Sequence, residues 1–239
     1  MPTAILTWHS LDESGSPISI SPRKFLAQLD ALHKAGTAIV PLGELLHHDN
    51  AVALTFDDGF LNFYEQALPA LLERCLPAAL FVVNDFVGKH NNWPTQPLGV
   101  PQLPLLDWRQ ILEAKAAGIE IGAHTATHPY LYRLTHSGQQ AEIIQAKLEL
   151  EERLGQPVES FAYPYGASDA RSRILVEEHF SRAVTTRFRY AEASAAPFDL
   201  PRLDVRSMGH PVWFSSLFTG VGHALVRARG FARAMRRFA

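Results

Sequence analysis

The 239-residue sequence holds a single cysteine, Cys75, so no disulfide can form within the chain. It sits in an apolar helical stretch with Leu71, Leu72 and Leu76, where it reads as a small buried hydrophobe rather than a nucleophile. No apolar run is long enough to span a bilayer. The opening Met1-Pro2-Thr3-Ala4-Ile5-Leu6 has neither the basic nor the apolar region of a secretion signal, and the expectation is a cytoplasmic protein. Neither sign of charge is in excess. The formal net charge is −2, which gives no global reason to expect nucleic acid as a partner. One absence is local: from Val205 to Ala239 there is no Asp or Glu, while Arg206, Arg227, Arg229, Arg233, Arg236 and Arg237 all fall there.

What is present suits one globular domain with a sizeable core: 47% of residues are apolar and 19% charged, and no Gly/Ser-rich or charged linker divides the chain. Short β-branched runs alternate with longer helical patterns. The predicted strands are Ala4–Trp8, Thr37–Pro41, Val52–Phe56, Ala78–Val83, Ile119–Ala123, Ser160–Tyr163, Ala183–Thr186 and Leu200–Val205. The predicted helices are Pro22–Ala35, Leu61–Arg74, Asp107–Ala117, Ser137–Leu154, Ser168–Glu178 and a last one after Trp213. Such alternation implies βαβ units and a mainly parallel sheet, and about eight strands favour a closed or nearly closed barrel. Lys89–Leu106, rich in Pro, Asn and Gly, breaks the alternation and reads as a long loop, either at the rim of a site or as a tolerated insertion.

In parallel α/β barrels the site lies at the carboxyl ends of the strands. The polar residues just after the predicted strands are His9, Asp57 with Asp58, His124 with His128, Tyr165 and Asp204. Asp57-Asp58-Gly59 is either a solvated turn or two carboxylates whose repulsion a cation relieves. His124 and His128, four apart, face one point if the segment makes a turn of helix. Two histidines and a carboxylate at neighbouring strand ends form a metal-site pattern with open positions, which suits catalytic zinc and non-haem iron alike. Pro164 and Gly166 fix the turn after Ser160–Tyr163. That turn is either a plain connection or one that aims a backbone N–H near Tyr165 at the site.

At these residues the sequence resembles the polysaccharide deacetylase family, the NodB-homology or carbohydrate esterase family 4 group. Thr55-Phe56-Asp57-Asp58-Gly59 matches its first motif, His124-Thr125-Ala126-Thr127-His128-Pro129 its second, and Ala162-Tyr163-Pro164-Tyr165-Gly166 a variant of its third. The resemblance implies a single-domain distorted (β/α)7–8 barrel and removal of N-acetyl groups from an amino-sugar glycan. It implies Asp57 as general base and Asp58, His124 and His128 as ligands of a divalent metal, zinc first, with cobalt, nickel or manganese admitted. It also implies the Tyr165 N–H as an oxyanion donor, with Pro164 supporting the turn.

The chain departs from the commonest pattern in two places. Ala162 stands where many members carry Arg, and no Leu-x-His acid occurs near the C-terminus. It resembles instead the branch acting on exopolysaccharide poly-N-acetylglucosamine, with Thr7-Trp8-His9-Ser10 in the place of the permuted motif. His9 is then the general acid, His210 the runner-up and His223 a third choice. Arg202 supplies the charge that Ala162 cannot, or forms a structural ion pair with Asp204 at a strand end. The substrate class implied is a polysaccharide or lipid-linked glycan of exopolysaccharide or cell-envelope biosynthesis. The competing classes are a non-catalytic glycan-binding protein that keeps the fold and an iron enzyme on the same triad.

From Leu217 on, Leu217, Val221, Leu225, Ala228, Ala232 and Met235 recur at helical spacing among arginines. This divides the chain into a catalytic barrel, residues 1–216, and a basic amphipathic helix, residues 217–239. That helix either packs on the barrel or holds the protein at the anionic inner face of a membrane.

Overall fold

Strands buried on both faces need apolar side chains on both, which is what these strands carry. The computed structural model describes residues 3–235; Arg236 and Arg237 of the basic tail lie outside them. In chain order the elements are β1 (Ala4–Trp8), β2 (Ser10–Leu11), β3 (Ser19–Ile20), α1 (Pro22–Lys34), β4 (Ala38–Ile39), β5 (Ala51–Phe56), α2 (Leu68–Glu73), β6 (Ala79–Val82) and α3 (Trp108–Ala116). There follow β7 (Glu120–Ala123), α4 (His136–Gln140), α5 (Ala146–Leu154), β8 (Ser160–Ala162), α6 (Ala170–His179), β9 (Arg182–Val184), β10 (Leu203–Asp204), α7 (Val212–Ser215) and α8 (Gly220–Met235).

The main sheet is parallel, in the order β10-β1-β5-β6-β7-β8-β9, with β4 joined to the start of β5. It curls until its two edges share one segment: Leu200 bridges Val184 of β9, and Leu203 pairs with Leu6 of β1. This is the α/β barrel-type fold expected, in one domain.

Strand periodicity of two sorts the side chains into two layers. Leu6, Trp8, Val52, Leu54, Phe56, Leu80 and Val82 point outward to a core shared with the helices. Ile5, Ala53, Ala79, Phe81, Ala162, Val184 and Leu200 fill the inside of the curl. Below this apolar plug an ionic layer closes the amino end, where Arg182 donates to Glu120 and Ser160, and Ser160 donates to Glu120. Continuing the inward register past the plug at the carboxyl end gives His9, Asp57 and His124.

The helices start and stop on local chemistry. Ser21 caps α1 with Pro22 in its first turn, and an Asp107–Gln110 capping box starts α3. α5 ends at Gly155 in the left-handed conformation, φ 64°.

Two expected helices form with a wider turn inside them, and one local expectation is corrected. The helix expected over Leu61–Arg74 forms over 61–73, with a π-type turn, Phe63–Ala67, inside it that runs into α2. Pro69 has no N–H for the Glu65 carbonyl and its ring would crowd that carbonyl, so the wider turn accommodates it. The helix over Ser137–Leu154 starts at His136, capped by Thr135, and is interrupted by a second π-type turn, Ala141–Gln145. The short pair β2–β3 had no sequence signal strong enough to predict it. Cys75 is exposed, not buried: α2 ends at Glu73, and the chain turns out at Cys75 with φ 52°.

Candidate active site

Two strand ends set the site's position. Outside the barrel, Trp8 stacks on Phe56 at 5.4 Å and meets Phe25 edge-on, and Trp8 Nε1 donates to Gln28. These rings fix the residues just before His9 and Asp57. Inside, Thr7 and Thr55 pair through their hydroxyls at 3.0 Å, directly beneath those two residues.

Asp57 is buried and bound bidentately by Arg202, with bonds of 2.7 and 2.6 Å. Arg202 is itself buried. Its Nε donates to the Thr185 carbonyl and its guanidinium lies over the Phe81 ring. Burial alone would raise the Asp57 pKa, but the Arg202 charge, joined by His124, holds it far below the usual carboxylate range. Asp57 is therefore anionic at every working pH. On its other side His9 Nε2 lies 3.8 Å from Asp57 Oδ2, partly open to solvent.

The next residue, Asp58, turns into the same space with φ 73°, and Gly59 follows at φ 74°. Asp58 Oδ1 lies 3.5 Å from His124 Nε2 and 3.4 Å from His128 Nε2, and the two Nε2 atoms are 3.2 Å apart. Asp58 Oδ1 is buried with no hydrogen-bond donor among the described residues. His124 Nδ1 donates to the Ala162 carbonyl at 2.7 Å, which leaves its Nε2 lone pair free in the neutral ring. Burial, with the neighbouring His124, pushes His128 down to about 3, so this ring is neutral at neutral pH. A point in the plane of the three donors and equidistant from them is about 1.9 Å from each, close to zinc–nitrogen and zinc–oxygen bond lengths of about 2.0–2.2 Å. The donor set fits a divalent cation with positions left open.

The histidines do not converge on a turn of helix, as expected from their spacing. Pro129 bars the helical conformation at His128. The segment instead makes an irregular turn with positive φ at Thr125 (69°) and His128 (58°). Thr125 Oγ1 accepts the His128 N–H. Glu142, carried inward on the π-type turn, accepts from both the N–H and the hydroxyl of Thr127. Tyr165 is left-handed too, φ 59°. Of the six non-glycine residues with positive φ among the described residues, four lie here: Asp58, Thr125, His128 and Tyr165. Each stores about 1–3 kcal/mol of strain, and such clusters mark sites that need fixed geometry.

The loop expected over Lys89–Leu106 forms a wall of this site. Trp93 packs on the His128 ring at 4.5 Å, and Thr95 Oγ1 donates to the His128 carbonyl. Tyr165 donates its hydroxyl to the Thr95 carbonyl, stands edge-on to His128 and stacks on Tyr130 at 4.1 Å. Burial pushes the Tyr165 phenol up to about 12. Trp93, Thr95, Tyr130 and Glu142 were not singled out in the sequence; for the first two the only signal was the loop's departure from the alternation.

The other candidates separate. Pro164 is buried in the tight turn before Tyr165. Arg202 and Asp204 do not pair with each other. Asp204 accepts instead from Arg233 of α8 and from Ser207, and lines a cavity of about 40 Å³ with His9. His210 is exposed, and its Nδ1 accepts the Val212 N–H at the start of α7. His223 packs on Tyr190. Neither has a bond to Asp57 or the triad.

Comparison with known proteins places these features. The family described as polysaccharide deacetylase matches residues 47–184, a span that contains Asp57, Asp58, His124, His128, Pro164 and Tyr165 but neither His9 nor Arg202. A Bacillus subtilis (strain 168) protein named as a polysaccharide deacetylase, YxkH, is 27% identical over 211 residues, covering 84% of this chain and 70% of its own. The solved structure of IcaB from Ammonifex degensii matches with a TM-score of 0.75 at 26% identity, over 88% of this chain and 95% of that one. Streptococcus pyogenes deacetylase PplD, solved in complex with acetate, shares the fold with a TM-score of 0.74 at 23% identity, over 85% and 92% of the two chains.

Proposed function

The chain belongs to the polysaccharide deacetylase family, and on that premise we propose that it removes N-acetyl groups from an amino-sugar polysaccharide or lipid-linked glycan using a divalent metal. Asp58, His124 and His128 are its ligands, and zinc is the metal proposed. The observation that carries the reading is the unpartnered, buried Asp58 Oδ1 facing two imidazole nitrogens beside a second, anionic carboxylate.

When bound, such a cation supplies Lewis acidity, polarising the acetamide carbonyl and lowering the pKa of water. The remaining work falls to the chain's own groups. Asp57 accepts the proton of the attacking water. Arg202 holds both its oxygens, so the carboxylate cannot swing away or take up a proton before substrate arrives. The Tyr165 N–H is offered to the oxyanion that develops at the acetyl carbonyl oxygen. His9, beside Asp57 and partly open to solvent, gives its proton to the departing amine. Trp93 and Tyr165 exclude water from the back of His128. The resemblance of Thr7-Trp8-His9-Ser10 to the permuted motif of the exopolysaccharide branch supports a place in exopolysaccharide or cell-envelope glycan synthesis.

The test is acetate release from an N-acetylglucosamine oligosaccharide. We expect release that a chelator abolishes, zinc restores and Asp58→Asn lacks. Glycan binding without acetate release in the metal-loaded protein would mark a binding protein and overturn the reading.

A further inference from the structure

α8 has two faces, and both are apolar. On the inner face Gly222 and Val226 are buried, and Gly230 comes so close to the Phe188 carbonyl that a Cβ there would lie 2.5 Å from its oxygen. Arg233, on the same side, donates to Asp204 and Ser207 and so pins the helix to the carboxyl end of β10. The outer face carries Val221, Leu225, Phe231 and Met235, exposed by 66%, 38%, 70% and 56%, with exposed Ala228 and Ala232 between them. Their spacing of three and four residues makes one stripe along the helix. Val212 of α7, 59% exposed, extends the patch and lines one groove with Val221 and Leu225. A surface helix ordinarily turns polar residues outward, so a second apolar stripe calls for a covering partner.

The charge around the stripe says which partner. Arg227 and Arg229 flank it on opposite sides, and Arg189 faces them across a cleft of about 1130 Å³. None of the three has a carboxylate partner among the described residues, and no acidic residue follows Asp204 in the sequence. A soluble protein partner would be met by a mixed polar rim. Ser216 and Thr219 edge the stripe near Val221, but the charges that flank it are all arginine. A stripe of aliphatic and aromatic side chains with flanking charge of that one sign matches a surface of acyl chains under phosphate groups. No helix among the described residues is long and apolar enough to cross a membrane.

We infer that the outer face of α8 lies in the plane of an anionic membrane surface, with Val221, Leu225, Phe231 and Met235 among the acyl chains and Arg189, Arg227 and Arg229 at the lipid phosphates. The helix is pinned to the rim that carries His9 and Asp57, so docking brings that rim beside the membrane.

Vesicle flotation of the full chain tests this, with phosphatidylcholine alone and with an equal mixture of phosphatidylcholine and phosphatidylglycerol. The chain should float with the mixture and not with phosphatidylcholine alone. Arg227→Gln and Arg229→Gln should each weaken partitioning about fivefold. Leu225→Asp should abolish it, with an unchanged unfolding temperature showing that the variant is folded. Equal partitioning of wild type and Leu225→Asp overturns the inference, as does failure of the wild type to float. So does retention by a soluble polyanion such as dextran sulfate that Leu225→Asp leaves intact while flotation is absent, which would mark a polyanion site. The readout involves no acetate release, so it stands apart from the proposed reaction.

Discussion

Arg202 and Asp57 meet through two parallel hydrogen bonds of 2.7 and 2.6 Å inside the barrel, although 145 positions separate them in the chain. A buried ion pair of this kind is weak evidence for stability but strongly destabilising to break, because the survivor is left charged and unpaired.

Arg202→Met should therefore lower unfolding free energy by about 3–5 kcal/mol at neutral pH, measured by urea denaturation. The pH dependence should also change sign. In the wild type the Asp57 pKa is depressed, so its contribution is present above the unfolded value of about 3.9 and fades as pH falls below it. In Arg202→Met the buried carboxyl has a raised pKa, so the deficit should shrink as the pH is lowered and the carboxyl takes up a proton. A deficit that stays constant from neutral to acidic pH would count against the pair as its cause.

Metal binding should show in stability as well as in activity. Zinc at a hundred times its dissociation constant should add about 2.7 kcal/mol, read as a rise in unfolding temperature. Asp58→Asn or His124→Ala should remove that rise. Metal analysis of protein purified without chelator should find zinc rather than iron.

The proton donor can be separated from the ligands by comparing two variants. His9→Gln should lower kcat about 10²–10⁴-fold while leaving zinc content intact. His210→Ala, at an exposed position tied only to the start of α7, should change kcat less than twofold by comparison with the scale of a catalytic group. The reverse result would move the acid to His210.

Gly166 follows Tyr165 with φ 66°, and a Cβ there would collide with Thr186 Oγ1. Gly166→Ala should cost about 1–3 kcal/mol of stability from the backbone conformation alone, before the collision is counted. Because the collision pushes on the turn carrying the Tyr165 N–H, kcat should fall more than KM changes. A variant with wild-type stability and kcat would show that the turn has slack.

Much of this was legible in the sequence because it depends on short-range periodicity. The parallel strands and the arrival of His9, Asp57 and His124 at one end follow from alternation within β1, β5 and β7. The wall of the site was not legible. Thr95 and Tyr165 meet across 70 positions of chain, and nothing local marks either as the other's partner. Nor does the turn from His124 to His128 announce itself: its shape comes from Pro129 and from Glu142, which reaches Thr127 from a helix whose wide turn has no sequence signal. Cys75 misled because helical periodicity extends past the residue where the helix ends.

The inward face of the sheet is a ring, whereas the chain is a line. Ala162 and Arg202 sit on β8 and at β10, and the guanidinium that serves Asp57 comes from the second of these places. Any strand whose inward side chain reaches that spot can hold the office. A group can thus emigrate from one stretch of sequence to another while the atoms around Asp57 stay as they are. Ancestry in such a barrel is better traced by what encircles the carboxylate than by the order in which the residues are spelled.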